Sequence, residues 1–311
     1  MQKQFMNKNA QIKLLRSKGL NISDNYAKNV LEKENYYNLI NGYKSLFIDT
    51  THKGQIERFK AGADFKEIHS LFLFDREVRS LFLRYILEIE NNMRSVISHD
   101  FSMKYGHDNY LKIDNFEKQA SVLGDVAELI SVLHREIANQ IKKKNPMILH
   151  YIFIYGYIPP WVLVNIISLG TLSKFYSLLE QKDQNDIGKY FNLKPQDMKT
   201  YLKNLSLARN WCAHDERFFD KRFKSQITTN TVHIKLGLIG KGLNHHIIGK
   251  DDIFSIIIIF KQLLSKKVFN RFLTAMNRLL IKLSSNLKTI PLESVTDKLG
   301  FPKNWLDIKN V

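Results

Sequence analysis

The chain is short of cysteine, of acidic residues and of long apolar runs, and each shortage narrows what it can be. Cys212 is the only thiol in 311 residues, which excludes an intramolecular disulfide and any cysteine-based zinc site within the chain and fits a reducing cytoplasm. The longest apolar stretch, 253–260, is bracketed by Asp251 and Asp252 on one side and Lys261 on the other, well under the ~20 residues needed to span a bilayer. The N-terminus, MQKQFMNKNAQIKLLRSKG, carries no apolar core followed by a small-residue cleavage site, so no secretory signal is expected. No glycine-rich phosphate loop of the GxxxxGK[ST] kind occurs. His233, His245 and His246 follow no zinc-ligand spacing and read as solvated loop histidines, so neither a metal nor a cofactor is expected.

The shortage of acid is the most informative of these. Against 47 Lys and Arg stand 30 Asp and Glu, a net charge of +17 and a pI near 9.7, which sets up a positive field and points to a polyanionic partner. Phosphate backbones reward such a surface through counterion release. An anionic membrane would call for clustered bases beside an amphipathic or lipidated anchor, and no such anchor is evident, so RNA and not a membrane is the expected partner. Lys261, Lys266, Lys267 and Arg271, along the polar side of the last long helix, and Arg217 are the candidates for RNA contact; a merely solvated face is the alternative for the helix.

With 44% hydrophobic residues the chain is apolar enough to fold, as one large core or two ordinary domains. Helical periodicity dominates, and the expected class is mainly α, a helical bundle. Helices are expected within 11–32, broken near Asn21, Ser23 and Asp24, with Ser23 or Asp24 as a cap. A strong three- and four-residue pattern over 65–99 predicts one long helix or two joined closely, ended by Tyr105-Gly106-His107-Asp108-Asn109. A further helix covers about 116–144. The run Lys142-Lys143-Lys144-Asn145-Pro146 is the expected linker, dividing an N-terminal region, 1–145, from a C-terminal one, 146–311. Pro159 and Pro160 enter a helix expected to reach Ser168, with a restart capped by Thr171 or Ser173. Residues 192–197 begin another helix. Short alternating runs between glycines predict a β-hairpin or extended insertion near 226–250, and one long helix capped by Asp251 or Asp252 is expected over 251–286. The aromatic stretch NYYNLINGYKSLF, with Tyr36, Tyr37, Leu39, Tyr43 and Phe47, reads as core and turn, base stacking being the alternative.

Two places read Arg, four residues, His, Asp: Arg94 to His99-Asp100 and Arg209 to His214-Asp215. Metal-free RNA cleavage needs a group that accepts the 2′-hydroxyl proton, one that protonates the departing 5′-oxygen, and a cation on the phosphate. Histidine, with an ordinary pKa of about 6.5, serves the first two, and arginine the third, through its planar fork. Five residues turn a helix by about 140°, so Arg209 and His214 do not share a face, whereas Asn210 and His214 do. Convergence therefore requires a histidine at a helix end, or two copies facing one another within the chain or across a homodimer. Cys212 reads as a small buried residue of the inner helix face and not as a nucleophile.

Several segments resemble the Abi family of bacterial abortive-infection proteins, of the AbiD and AbiF types, and through it the HEPN ribonuclease superfamily. They are Asn35 to Tyr43; Phe65-Lys66-Glu67-Ile68 with Leu73-Phe74-Asp75-Arg76; Ile89-Glu90 before Arg94; Tyr105-Gly106; Pro160-Trp161; Ser168-Leu169-Gly170; Arg209-Asn210 with Ala213-His214; and Gly300-Phe301-Pro302 before Trp305. The resemblance implies phage defence, two HEPN-like helical halves, an endoribonuclease motif, and control by or complex formation with a structured small RNA. Carried over, Arg209, Asn210 and His214 would be the phosphate-binding, orienting and acid–base residues, and Arg94 with His99 the second half. Ser95 stands where asparagine would follow the first arginine, so whether that copy is catalytic stays open. A non-catalytic RNA-binding module using the same residues is the alternative.

Overall fold

The structure, a computed structural model, describes residues 5–51, 57–239 and 248–311. Apolar residues recurring every three or four positions carry one helix, α3 (Phe65–Tyr105), through 41 residues, and it ends at the expected Tyr105-Gly106. Asp64 starts it by accepting a hydrogen bond from the Lys66 amide, and Glu67 reaches back to the Asp64 amide, a reciprocal cap that satisfies two free donors. Gly106, at φ 84°, ends it.

Before this rod come α1 (Lys8–Ser17) and α2 (Asp24–Lys33), packed together. Their connection is tied to the head of α3 where Asn21 bridges Asp64, and Ile48 bridges Phe59 nearby. These isolated bridges are the extended pairings among the described residues. After it follow α4 (Ala120–Lys142), α5 (Pro146–Tyr155), α6 (Pro160–Leu163), α7 (Leu169–Leu178), α8 (Gln181–Lys189) and α9 (Pro195–Ala213). The chain closes with α10 (Thr231–Lys235), α11 (Ile253–Leu263), α12 (Lys266–Ser284) and α13 (Glu293–Leu299). Helices α6, α7, α8, α9 and α12 all pack on α3, which therefore buries side chains around most of its circumference. The fold is a mainly α bundle with one continuous apolar core running from Ile12 to Ile308. At its centre the Phe82 ring meets Phe218, Phe260 and Phe272 at 5.2 to 5.5 Å, which joins three distant segments on one aromatic side chain.

Four local expectations are corrected. The helix expected over 251–286 breaks at Leu264-Ser265. α11 is buried along nearly its whole length whereas α12 is amphipathic, and the turn lets the second lie across α3 while the first stays inside; Ser265 caps α12 through the Val268 amide. Asp252 caps α11, one of the two residues expected to do so. The helix after Pro159-Pro160 lasts a single turn, α6, and α7 is capped by Ser168, not Thr171 or Ser173. The helix break expected at 142–146 is present, as a tight helix-to-helix turn in which Lys144 adopts φ 53° and Asn145 caps α5.

The fourth correction concerns the hairpin. Thr231–Lys235 is helical, and Asn230 and His233 form a capping box at its start. Val232, His233 and Leu236 are the buried positions, a helical spacing that prevails over the β-branched composition once a cap is present. His233 is thus not a solvated histidine: it is fully buried, with Nε2 against the Gly249 carbonyl at 3.0 Å. The extended part of the expectation survives as single backbone bonds from Phe223 and Ile227 to the Asp251 and Lys250 carbonyls. His245 and His246 lie outside the described residues. Among the described residues no helix is long and apolar enough to cross a membrane.

Candidate functional site

The end of α9 is fixed from below by a buried charge network. Asp75 and Arg79 stand one turn apart on α3, and both are buried. One oxygen of Asp75 accepts from the Tyr43 hydroxyl at 2.6 Å, from Arg79 at 2.7 Å and from the Phe218 amide at 2.9 Å. Burial pushes the Asp75 carboxyl up, and the Tyr43 hydroxyl, the Arg79 guanidinium and the Phe218 and Phe219 amides offset only part of that rise; burial and the neighbouring Asp75 together push the Tyr43 phenol up. The second arm of Arg79 pairs with Asp215. Asp215 holds φ 55°, a left-handed conformation that Asp tolerates better than most side chains, and it ends the helix where a glycine would commonly stand. Tyr43 and Asp75 come from two of the segments that resemble one family, Asp215 directly follows a third, and they meet here.

Above the network lies an open cleft of about 650 Å³. The loop 214–222 forms one wall with His214, Arg217, Lys221 and Arg222; the other carries the polar side chains of Asn35, Asn38 and Asn41 and the exposed ring of Tyr37. The aromatic stretch is therefore divided. Leu39, Ile40, Tyr43 and Phe47 are core, and Tyr37 faces solvent at the cleft rim. Glu34 is held by both guanidinium arms of Arg76 at 2.9 Å, which keeps its carboxyl below the usual range. Arg217 donates to the Gly42 carbonyl and pairs with Asp220, and Lys221 pairs with Glu216 over the Trp211 ring. Arg222 donates to the Lys298 carbonyl, so the three cations of this wall all sit within hydrogen-bonded frames.

The two Arg-x4-His copies differ. Arg94 is engaged: its guanidinium donates to Glu90 and to the Ile167 carbonyl, while His99 is exposed. In the second copy, His214 is the exposed residue just past α9, its amide bonded to the Asn210 carbonyl. Asn210 is exposed one turn earlier. Arg209 is half-buried, its Nε is without a partner, and no hydrogen bond or ion pair engages the guanidinium among the described residues. It lies outside the lining of the cleft that His214 enters. No hydrogen bond or ion pair joins the two copies among the described residues. Arg79, which touches Asp215, and His99 are separated by unbroken α3, about 30 Å at ~1.5 Å per residue.

The expected RNA contacts fall in three places. Arg217 lines the cleft. Lys267 and Arg271 line a shallow groove with Arg84 and Arg278, and Lys261 and Lys266 border a depression with Lys309. Lys261 lies over the Phe269 ring, and burial pushes its ammonium down. Cys212 is buried and its thiol is pushed up to about 12 by that burial, which leaves it without nucleophilic character at neutral pH. The network of Tyr43, Asp75, Arg79 and Asp215 was not among the expected site residues. Its signal was a charged pair at i and i+4 on the apolar face of α3.

Of the known families, a model described as Abi-like protein matches residues 29–220. That span runs from α2 through the end of α9 and contains the whole network beneath the cleft. No curated protein and no solved structure matches the chain.

Proposed function

The chain belongs to the Abi-like protein family, a family of abortive infection and phage defence, and on that premise we propose that it acts in defence as a metal-independent endoribonuclease centred on His214. One contrast supports the reading best. Arg94 is consumed by contacts inside the protein, whereas Arg209 has no partner and His214 opens into a polar cleft lined by both signs of charge. An unpaired, half-buried guanidinium is costly unless an anion completes it. In this reading His214 takes the proton from a 2′-hydroxyl, the 2′-oxygen bonds to phosphorus, and the bond to the 5′-oxygen breaks, leaving a cyclic phosphate and a 5′-hydroxyl. Arg209 and Arg217 hold the strand, and Asn210, sharing the His214 face, orients it. The acid that protonates the leaving oxygen is a second His214, from another copy of the chain in a homodimer.

The cleft lining also favours a second reading, RNA binding without cleavage, because His214 is the single imidazole in it. Labelled RNA incubated in EDTA separates the two. Cleavage by the wild type, lost in His214→Ala by a factor of about 10² or more with binding retained, is the expected result. Absence of cleavage by wild type, with salt-sensitive binding weakened by Arg209→Ala, would replace catalysis by binding. A structured small RNA as partner or regulator belongs to the same proposal, and RNA recovered with the purified protein is its direct check.

A further inference from the structure

α5 is ten residues long and has no charged side chain. Only Ile148 in it is buried. On the opposite side Pro146, Met147, His150, Phe153 and Ile154 fall within an arc of about 120° at ~100° per residue, and all five are exposed. Phe153 is 77% and Ile154 63% exposed, and Tyr155 and Trp161 beyond them are also about half open to solvent. Single exposed apolar residues are ordinary, but a whole apolar helix face is not. A solvent-facing helix normally turns its charged residues outward.

The charge around this face has one sign. Lys142, Lys143 and Lys144 end α4 and lead into the Asn145 cap, so they stand at the head of α5. All three are exposed, and none forms an ion pair among the described residues. No Asp or Glu occurs anywhere between Glu136 and Glu180. A protein-facing patch would ordinarily be rimmed with both signs of charge. Protruding Phe, Ile, Tyr and Trp beside unpaired lysines and without carboxylates is instead the chemistry that enters the headgroup layer of an anionic bilayer: rings and aliphatic side chains at the acyl boundary, ammonium groups on the phosphates.

We propose that the exposed face of α5, with Lys142, Lys143 and Lys144, docks the protein peripherally on an anionic membrane surface. The sequence offered clustered bases without an evident anchor; the fold supplies one by turning the apolar side of α5 outward. This docking is separate from the cleft and needs no spanning helix.

The test is sedimentation of the nucleic-acid-free, full-length protein with vesicles of equimolar phosphatidylglycerol and phosphatidylcholine, against vesicles of phosphatidylcholine alone. The protein is expected to pellet with the first and not the second. Phe153→Ser with Ile154→Ser should lower the vesicle affinity at least about tenfold, since each removes a side chain whose burial is worth more than ~1.4 kcal/mol. Replacing the three lysines with Gln should weaken binding and flatten its dependence on phosphatidylglycerol. Circular dichroism melting of the variants checks that the fold is kept. Equal pelleting of the Phe153/Ile154 variant would assign the attraction to the general positive field and overturn the proposal, as would no pelleting of the wild type. Self-association in solution that the same double variant abolishes, without vesicle binding, would make the face a protein contact instead.

Discussion

Asp75 has no exposed surface, yet it sits where three segments of the chain must agree. Removing Arg79 strands that carboxylate among Tyr43, Phe218 and apolar rings, and breaking a buried pair from one side typically costs about 3–5 kcal/mol. Asp215, the other partner of Arg79, has a side chain 61% exposed, so screening by water leaves its pairing worth about 1 kcal/mol or less. Urea unfolding of Arg79→Leu should therefore show a large drop in midpoint and that of Asp215→Ala a small one. Equal losses would mean that the pair does not act as the anchor of the cleft. The function of Asp215 is local: with its left-handed backbone it ends α9 and leaves His214 projecting.

At the scale of elements, the reach of α3 depends on how its first turn is held. Asp64 gives an ordinary cap, worth about 1 kcal/mol when truncated. Glu67 does more. Its two oxygens return to the Asp64 amide and also accept from the Lys288 amide at 2.6 Å and from the Thr289 amide and hydroxyl at 2.7 and 2.6 Å. One buried carboxylate thus caps α3 and fastens the turn after α12. Glu67→Ala should cost about 3 kcal/mol, since it leaves several buried donors unpaired, against about 1 kcal/mol for Asp64→Ala. Thermal melts that rank the two the other way would show that the tie to 288–289 is incidental. The C-terminus is fastened by similar means: Gly300 has φ 76°, and a Cβ there would lie 2.3 Å from the Asp252 carboxyl, so the turn before Phe301 fits against the cap of α11 only as glycine.

For the molecule as a whole, a net +17 is the governing quantity. The cations are spread over the cleft, the groove of Arg84, Lys267, Arg271 and Arg278, and the depression around Lys261 and Lys266. No carboxylate lines the groove, and the cations of α12 form no ion pairs among the described residues. RNA affinity should accordingly fall steeply with salt, by roughly 10³-fold or more between 50 and 200 mM if six or more phosphates are neutralised. A flat titration would contradict the assignment of RNA as partner. Loss of vesicle binding in the Phe153/Ile154 variant should leave that salt slope unchanged, because the two surfaces use different side chains.

Much of this architecture was legible in the linear pattern. The periodicity from Phe65 onward specifies α3, Pro195 starts α9, Asp252 caps α11, and the burial of Cys212 follows from its place on an apolar helix face. The surroundings of Arg209, Asn210 and His214 were not legible. The break at Ser265, the helical turn at Thr231 and the burial of His233 escaped because periodicity alone does not tell a helix that continues from one that must bend to cover a neighbour. The network under the cleft escaped for a related reason: Tyr43, Asp75 and Asp215 lie far apart in sequence, and an Asp and Arg at i and i+4 read as a solvated pair until the face they occupy is known to be inside.

Local rules, acting within a few turns, determined from composition and order alone that this chain would be helical and cationic and would belong with the Abi-like proteins. Which arginine is spent on the protein and which is left free, that Asp215 is anchored to Arg79 on α3, and that α5 turns its apolar side to solvent were decided only by packing. Those outcomes depend on which faces meet, and contacts between remote segments are settled by burial and shape across the whole core.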